Sequence, residues 1–171
     1  MLKRIWLIPL LFCTACAAVP QNKDNAFTFA VEAVQKKRFK TGARASWAFI
    51  KAADVDDPRY DRGLRLLARS AEGLHLTWAA SLIYREIAVK RRNMALVPVA
   101  IKGIEGIISD GVYDEDSLIT SFIAGEEFGE LDIDLRAFVD FHQGLDLTRR
   151  GIDKWAEERF DSIPPDTAYY N

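Results

Sequence analysis

Apolar residues recur every three or four positions along most of this chain, the spacing of helices with one buried face. Leu64, Leu67, Ala68 and Ala71 form one such line, Val97, Ile101, Ile104 and Ile108 a second, and Leu135, Phe138, Phe141 and Leu145 a third. Ala79, Ile83 and Ile87, four apart, mark a helix from about residue 76 to 91, with Ala79-Ala80-Ser81 small enough for a close crossing with the Ala68–Ala71 turn. Asp114 caps a helix carrying Leu118, Ile119, Phe122 and Ile123, and Ile152, Trp155, Ala156 and Phe160 make a short last one. Residues 25 to 38 and 42 to 53 give two more, divided at Thr41-Gly42. Asp57 and Pro58 are a favoured helix-opening pair, and Gly73 and Gly111 are stops. Between residues 21 and 163 the only prolines are Pro58 and Pro98, and no run of β-branched residues alternates, so the pattern predicts an all-α chain. The connections are short, which makes neighbouring helices antiparallel. Gly103 and Gly106 fall inside a helix and are expected to permit close packing rather than to cradle a phosphate.

The first residues have a different pattern. Lys3 and Arg4 precede an apolar run from Ile5 to Phe12 and then small residues, the layout of a secretory leader. The run is too short to span a bilayer, which takes about 20 residues, and Pro9 interrupts it. Cys13-Thr14-Ala15-Cys16 resembles a bacterial lipobox, with Cys16 as the acceptor of lipid and Cys13 in place of the usual Leu. That resemblance implies a chain exported and held by lipid at the outer membrane, facing the periplasm. Cleavage after Ala15-Cys16-Ala17 would instead give a soluble periplasmic chain. The same cysteines are formally C-x-x-C, but no βαβ pattern surrounds them and neither His75 nor His142 lies near enough in sequence to complete a zinc site. The expected organisation is a leader and linker over residues 1–22, one helical domain over 23–163 and an irregular tail over 164–171.

Charge narrows the function further. Without Lys3 and Arg4 the balance is 21 basic to 25 acidic residues, no footprint for nucleic acid. The clusters Lys36-Lys37-Arg38 and Lys90-Arg91-Arg92 stand at helix C-termini, where cations complement the dipole. Glu126, Glu127, Glu130, Asp132 and Asp134 read as a solvated acidic turn; their spacing is not that of a calcium loop. No paired Glu-x-x-His motif suggests a di-iron bundle, and no serine or cysteine is placed by a motif beside His142 for nucleophilic catalysis. His142 falls on the line Leu135, Phe138, Leu145 and so points to core or groove, whereas His75 reads as a turn residue or cap. No catalytic residue, metal site or cofactor is assigned.

Three tryptophans beyond the leader are each followed by Ala, at Trp47, Trp78 and Trp155, spaced by 31 and then 77. Such recurrence suggests repeated helix pairs. The stretch from Asp56 to Ala88, with Pro58, Tyr60 and Gly63-Leu64 in its first helix and Ala79-Ala80 and Tyr84 in its second, resembles a degenerate tetratricopeptide repeat. The later "FVDFHQGLDLTRRGIDKWAEERFDSIP" is similar to another such hairpin. The resemblance implies antiparallel hairpins stacked as a short right-handed solenoid that binds another envelope protein on its concave surface and catalyses nothing. The second helix of each pair would carry the binding residues, with Tyr84, Arg85 and His142 as candidates. The tail ending in Tyr169-Tyr170-Asn171 has no polar capping helix, so further repeats or a partner are expected to cover that end. An accessory peptide- or small-molecule-binding subunit of a transporter is the alternative, and a hydrolase ranks last.

Overall fold

The computed structural model describes residues 22–109, 131 and 133–170. These form seven α-helices and no strand: α1 (Lys23–Gln35), α2 (Phe39–Ala52), α3 (Tyr60–Gly73), α4 (Thr77–Lys90), α5 (Val97–Ser109), α6 (Ile133–Arg149) and α7 (Asp153–Asp161). A 3-10 turn, Met94–Leu96, leads into α5. The leader with Cys13 and Cys16, the helix expected after Asp114 and most of the acidic turn lie outside the described residues.

Adjacent helices pack in chain order from α1 to α5, and α6 packs on α7. The helices α1 and α3 also touch directly. Lys23 bonds Asp57 at 3.2 Å, and Arg59 bonds Asp24 at 2.8 Å, so α1 and α3 begin at the same edge. At the opposite edge the backbone of Gly73, the last residue of α3, lies against the ring of Phe39, the first of α2. One continuous core runs from Ala26 through Phe49, Tyr84 and Ile104 to Phe138.

The turns inside the hairpins share one construction. Lys37, His75 and Gly151 each adopt a left-handed backbone, with φ of 54, 57 and 71°. In each, the following amide reaches back five residues to a helix carbonyl: Arg38 N–H to Ala33, Leu76 N–H to Ala71 and Ile152 N–H to Leu147, all at 2.8–2.9 Å. This Schellman closure satisfies carbonyls that the helix end would otherwise orphan. His75 is thus a cap, as its position in the sequence suggests. The three left-handed residues stand 38 and then 76 positions apart, one and two repeats of a single length. Small buried residues keep this beat to within one residue. In the first helices of the pairs they are Ala26, Gly63, Ala100 and Ala137, each 37 after the last. In the second helices they are Gly42, Ala80 and Ala156, 38 and 76 apart. Small side chains at fixed register let the helices cross closely, and three glycines have an aromatic ring packed on them: Phe49 against Gly63, Tyr84 against Gly103 and Phe160 against Gly144.

Several expectations shift. Thr41-Gly42 is no break: α2 already starts at Phe39, and Gly42 is buried where a Cβ would stand 2.8 Å from Ser70 Oγ. The opening of α3 falls at Tyr60, two residues beyond Pro58, because Asp57 first closes a turn, its Oδ1 accepting from the Arg59 amide at 3.0 Å. Ala79 is exposed, so the crossing in α4 is made by Ala80 alone of that pair. Trp47 and Trp155 are 55% and 59% exposed, so the Trp-Ala pairs do not mark the packing repeat. The tail is irregular but covers its own end: Ile163 and Thr167 are buried, and Tyr169 packs on Phe138 and Phe141 of α6 with ring centroids 5.9 and 5.6 Å away. Its hydroxyl donates to Glu105 of α5 at 2.5 Å.

Candidate functional site

Tyr84 was expected on a binding surface, and its place corrects this. It is 2% exposed, with its ring against the backbone of Gly103 and its hydroxyl bonded to Glu72 of α3. Burial, with the Glu72 carboxylate nearby, pushes its ionisation well above the usual tyrosine range. Such a residue positions two helices and offers nothing to a partner. Arg85 is half-buried on α4 beside it. His142, 9% exposed, stands on α6 between the rings of Phe138 and Phe141, centroids 4.6 and 5.4 Å away. It belongs to the aromatic cluster completed by Phe160 and Tyr169 and is a core residue as well. The three candidates therefore do not assemble into a site.

What the helices do present is charge. On α3 the face opposite Leu64, Ala68 and Ala71 carries Arg62, Arg65 and Arg69, all exposed. Spacings of three and four set them in one row along the helix. Arg69 leans toward Glu72 at 3.6 Å; Arg62 and Arg65 have no acidic partner among the described residues. The row has relatives in the repeat: exposed Lys102 of α5 is 37 residues after Arg65, and exposed Arg136 of α6 is 74 after Arg62. Arginine offers a planar fork of donors to carboxylate or phosphate, so the row is suited to an anionic ligand. The signal for this row in the sequence is a set of polar positions phased against a clear apolar line, on the first helix of the pair rather than the second.

Other arginines are committed to the fold. Arg59 bonds Asp57 at 2.9 Å and Asp24 at 2.8 Å, and lies over the rings of Phe27 and Phe49 at 5.6 and 5.5 Å. The guanidinium and Lys23 hold the Asp57 carboxyl far below the usual carboxylate range, and Arg59 is raised in turn. One junction later Arg92 bonds Asp61 at 3.0 Å and Glu86 at 3.1 Å and lies 5.2 Å from the Tyr60 ring centroid. Asp24 and Asp61 are 37 apart, so the acidic half of the clasp recurs in register, while the arginines that reach it stand 33 apart. Among the described residues no group of three His, Cys, Asp or Glu side chains is arranged to hold a metal ion, and no helix is long and apolar enough to cross a membrane. Compared with protein-family models, with curated proteins and with solved structures, the chain gives no match.

Proposed function

We propose that this chain is a non-enzymatic scaffold whose hairpins stack as a short right-handed, tetratricopeptide-like solenoid and whose first helices bind an acidic segment of an envelope protein. The row Arg62, Arg65 and Arg69 on α3 carries the reading. Direct packing of α1 on α3 supports an inner face lined by first helices, so binding moves there from the second helices and from Tyr84. Repeat proteins bind through such extended surfaces, and interfaces concentrate their energy in arginine and aromatic anchors. The lipobox-like Cys16 supports attachment by lipid, and a Cys16→Ser chain that still labelled with lipid would end that part of the reading.

The test of binding is charge reversal at Arg62 and Arg65 together. Both side chains are exposed, so the melting temperature should stay within about 2 °C, since surface changes usually cost under ~0.5 kcal/mol. Capture of partners from solubilised envelopes should fall about tenfold or more, the loss of at least ~1.4 kcal/mol. Unchanged capture sinks the proposal. So does turnover of a substrate by the purified chain that a single substitution abolishes without unfolding it.

A further inference from the structure

The Schellman turns carry a second surface, distinct from the arginine row. In this closure the residue after the left-handed one is commonly a hydrophobe folded back on its own helix. Leu76 holds that position after His75, yet it is 55% exposed. Trp78, 37% exposed, and Leu82, one helical turn further along α4, extend the apolar patch away from the tip. The neighbouring tip is cationic: Lys36, Lys37, Arg38 and Lys40 are all exposed. Lys36 pairs with Glu32 at 3.4 Å, whereas Lys37, Arg38 and Lys40 have no acidic partner among the described residues. The two tips adjoin, because Gly73 at the end of α3 lies against Phe39 at the start of α2. A bulky apolar tip and a cationic tip therefore stand side by side at one edge. The turn at Gly151 has a similar mixture, with exposed Ile152 and Trp155 beside Lys154 and beside Arg150, which pairs with Asp146 at 2.9 Å.

We propose that this edge docks on an anionic membrane surface, with Lys37, Arg38 and Lys40 at the headgroups and Leu76 and Trp78 in the headgroup–acyl boundary. Tryptophan's amphipathic ring is suited to that boundary, and basic residues beside it add attraction to anionic lipid. The tips are protruding turns, which fit a flat deformable surface better than they fit a peptide. Trp47 provides an internal contrast: it is equally apolar and 55% exposed, but lies in the middle of α2, away from the tips.

The experiment uses full-length chains keeping one tryptophan, Trp78 or Trp47, with the others changed to Phe. Each is mixed with vesicles of acyl-brominated phosphatidylcholine containing about 30% phosphatidylglycerol, a fraction chosen to give a strongly negative surface. Trp78 fluorescence should be quenched and shifted to the blue, and Trp47 fluorescence should change far less. Lys37→Gln, Arg38→Gln and Lys40→Gln combined should lower partitioning about a hundredfold, given the attraction per basic residue at such surfaces. These positions are solvated, and circular dichroism should show the fold unchanged. Equal quenching of Trp78 and Trp47, or partitioning unaffected by the triple change, overturns the proposal. Salt-sensitive binding to an acidic protein with no quenching of Trp78 by lipid would assign the edge to a protein and equally overturn it.

Discussion

Gly103 and Gly106 sit three residues apart in α5, and the structure separates what a methyl group would do at each. Both changes to Ala should gain helix propensity, about 0.8–1 kcal/mol for an interior position. At Gly106 a Cβ would meet nothing within 4 Å among the described residues, so that gain stands alone. At Gly103 the same atom would lie 2.5 Å from Cε2 and 2.7 Å from Cζ of Tyr84. That ring is 2% exposed and tied through its hydroxyl to Glu72, so it cannot swing into solvent. Overpacking of this sort costs about 1–3 kcal/mol. Gly106→Ala should therefore stabilise by roughly 0.5–1 kcal/mol, and Gly103→Ala should range from neutral to about 2 kcal/mol destabilised. The difference between the two variants isolates the collision, since propensity cancels. Urea unfolding followed at 222 nm gives it directly if the slopes agree. Tyr84→Leu supplies the second edge of a double-mutant cycle: in that background the penalty at Gly103 should shrink by about 1 kcal/mol or more. Equal stability of Gly103→Ala and Gly106→Ala in the Tyr84 protein would refute the packing assigned to this crossing.

Two further outcomes test the ends of the fold. Tyr169→Ala should lose about 2–3 kcal/mol, by removing aromatic packing on Phe138 and Phe141 and the bond to Glu105, whereas Tyr169→Phe should lose about 1 kcal/mol; a Tyr169→Ala chain with an unchanged urea midpoint would show that the tail does not cover this end. Arg59 and Lys23 lower the Asp57 ionisation in the folded chain, so the unfolded chain takes up the proton first on acidification and this group's stabilisation, complete above about pH 5, is lost as the pH falls through the ordinary carboxylate value near 4 toward the depressed one. The stability gap between the wild type and Asp57→Asn should accordingly hold from pH 7 to about 5 and narrow toward about pH 2.5, and a gap constant throughout would exclude the linkage.

The helices were legible because apolar spacing and helix formers agree over most of the chain, and their ends were less so for a physical reason. Three of the left-handed residues that end helices are Lys37, His75 and Arg91, not glycine, so the basic clusters and the turn position of His75 located these ends only to within a residue or two. Gly42, which looked like a break, is instead a crossing residue inside α2. The misplacement of Tyr84 came from a single-residue error of phase. Taking Ala79, Ile83 and Ile87 as the buried line rotates α4 by about 100° relative to the line Ala80, Tyr84 and Ala88. Tyrosine's hydroxyl made a groove position plausible, and only Glu72 on the neighbouring helix reveals its buried partner. The repeat was sought in tryptophans, which are exposed and unconstrained by packing. It is kept instead by residues that have no room to grow: Ala26, Gly63, Ala100 and Ala137.

The same register explains why the tail closes where it does. Asp24 and Asp61 hold equivalent places in α1 and α3, and each bonds an arginine that follows the second helix of its own pair, Arg59 and Arg92. Each arginine also lies over an aromatic ring, so the clasp joins charge to packing. An exposed pair such as Asp24–Arg59 adds little by itself. Asp61, whose side chain is 2% exposed, depends on its arginine, because a buried carboxylate without a partner is strongly unfavourable. Thirty-seven residues after Asp61 stands Pro98, whose side chain has no oxygen to accept such a bond. In that register α5 therefore lacks the acidic half of the clasp. On α5 the acidic partner is Glu105 instead, and what reaches it is Tyr169 from beyond α7, with its ring set against α6. A hydroxyl and an aromatic ring on one side chain thus tie α5 to α6, as an arginine and its neighbouring ring tie the earlier pairs.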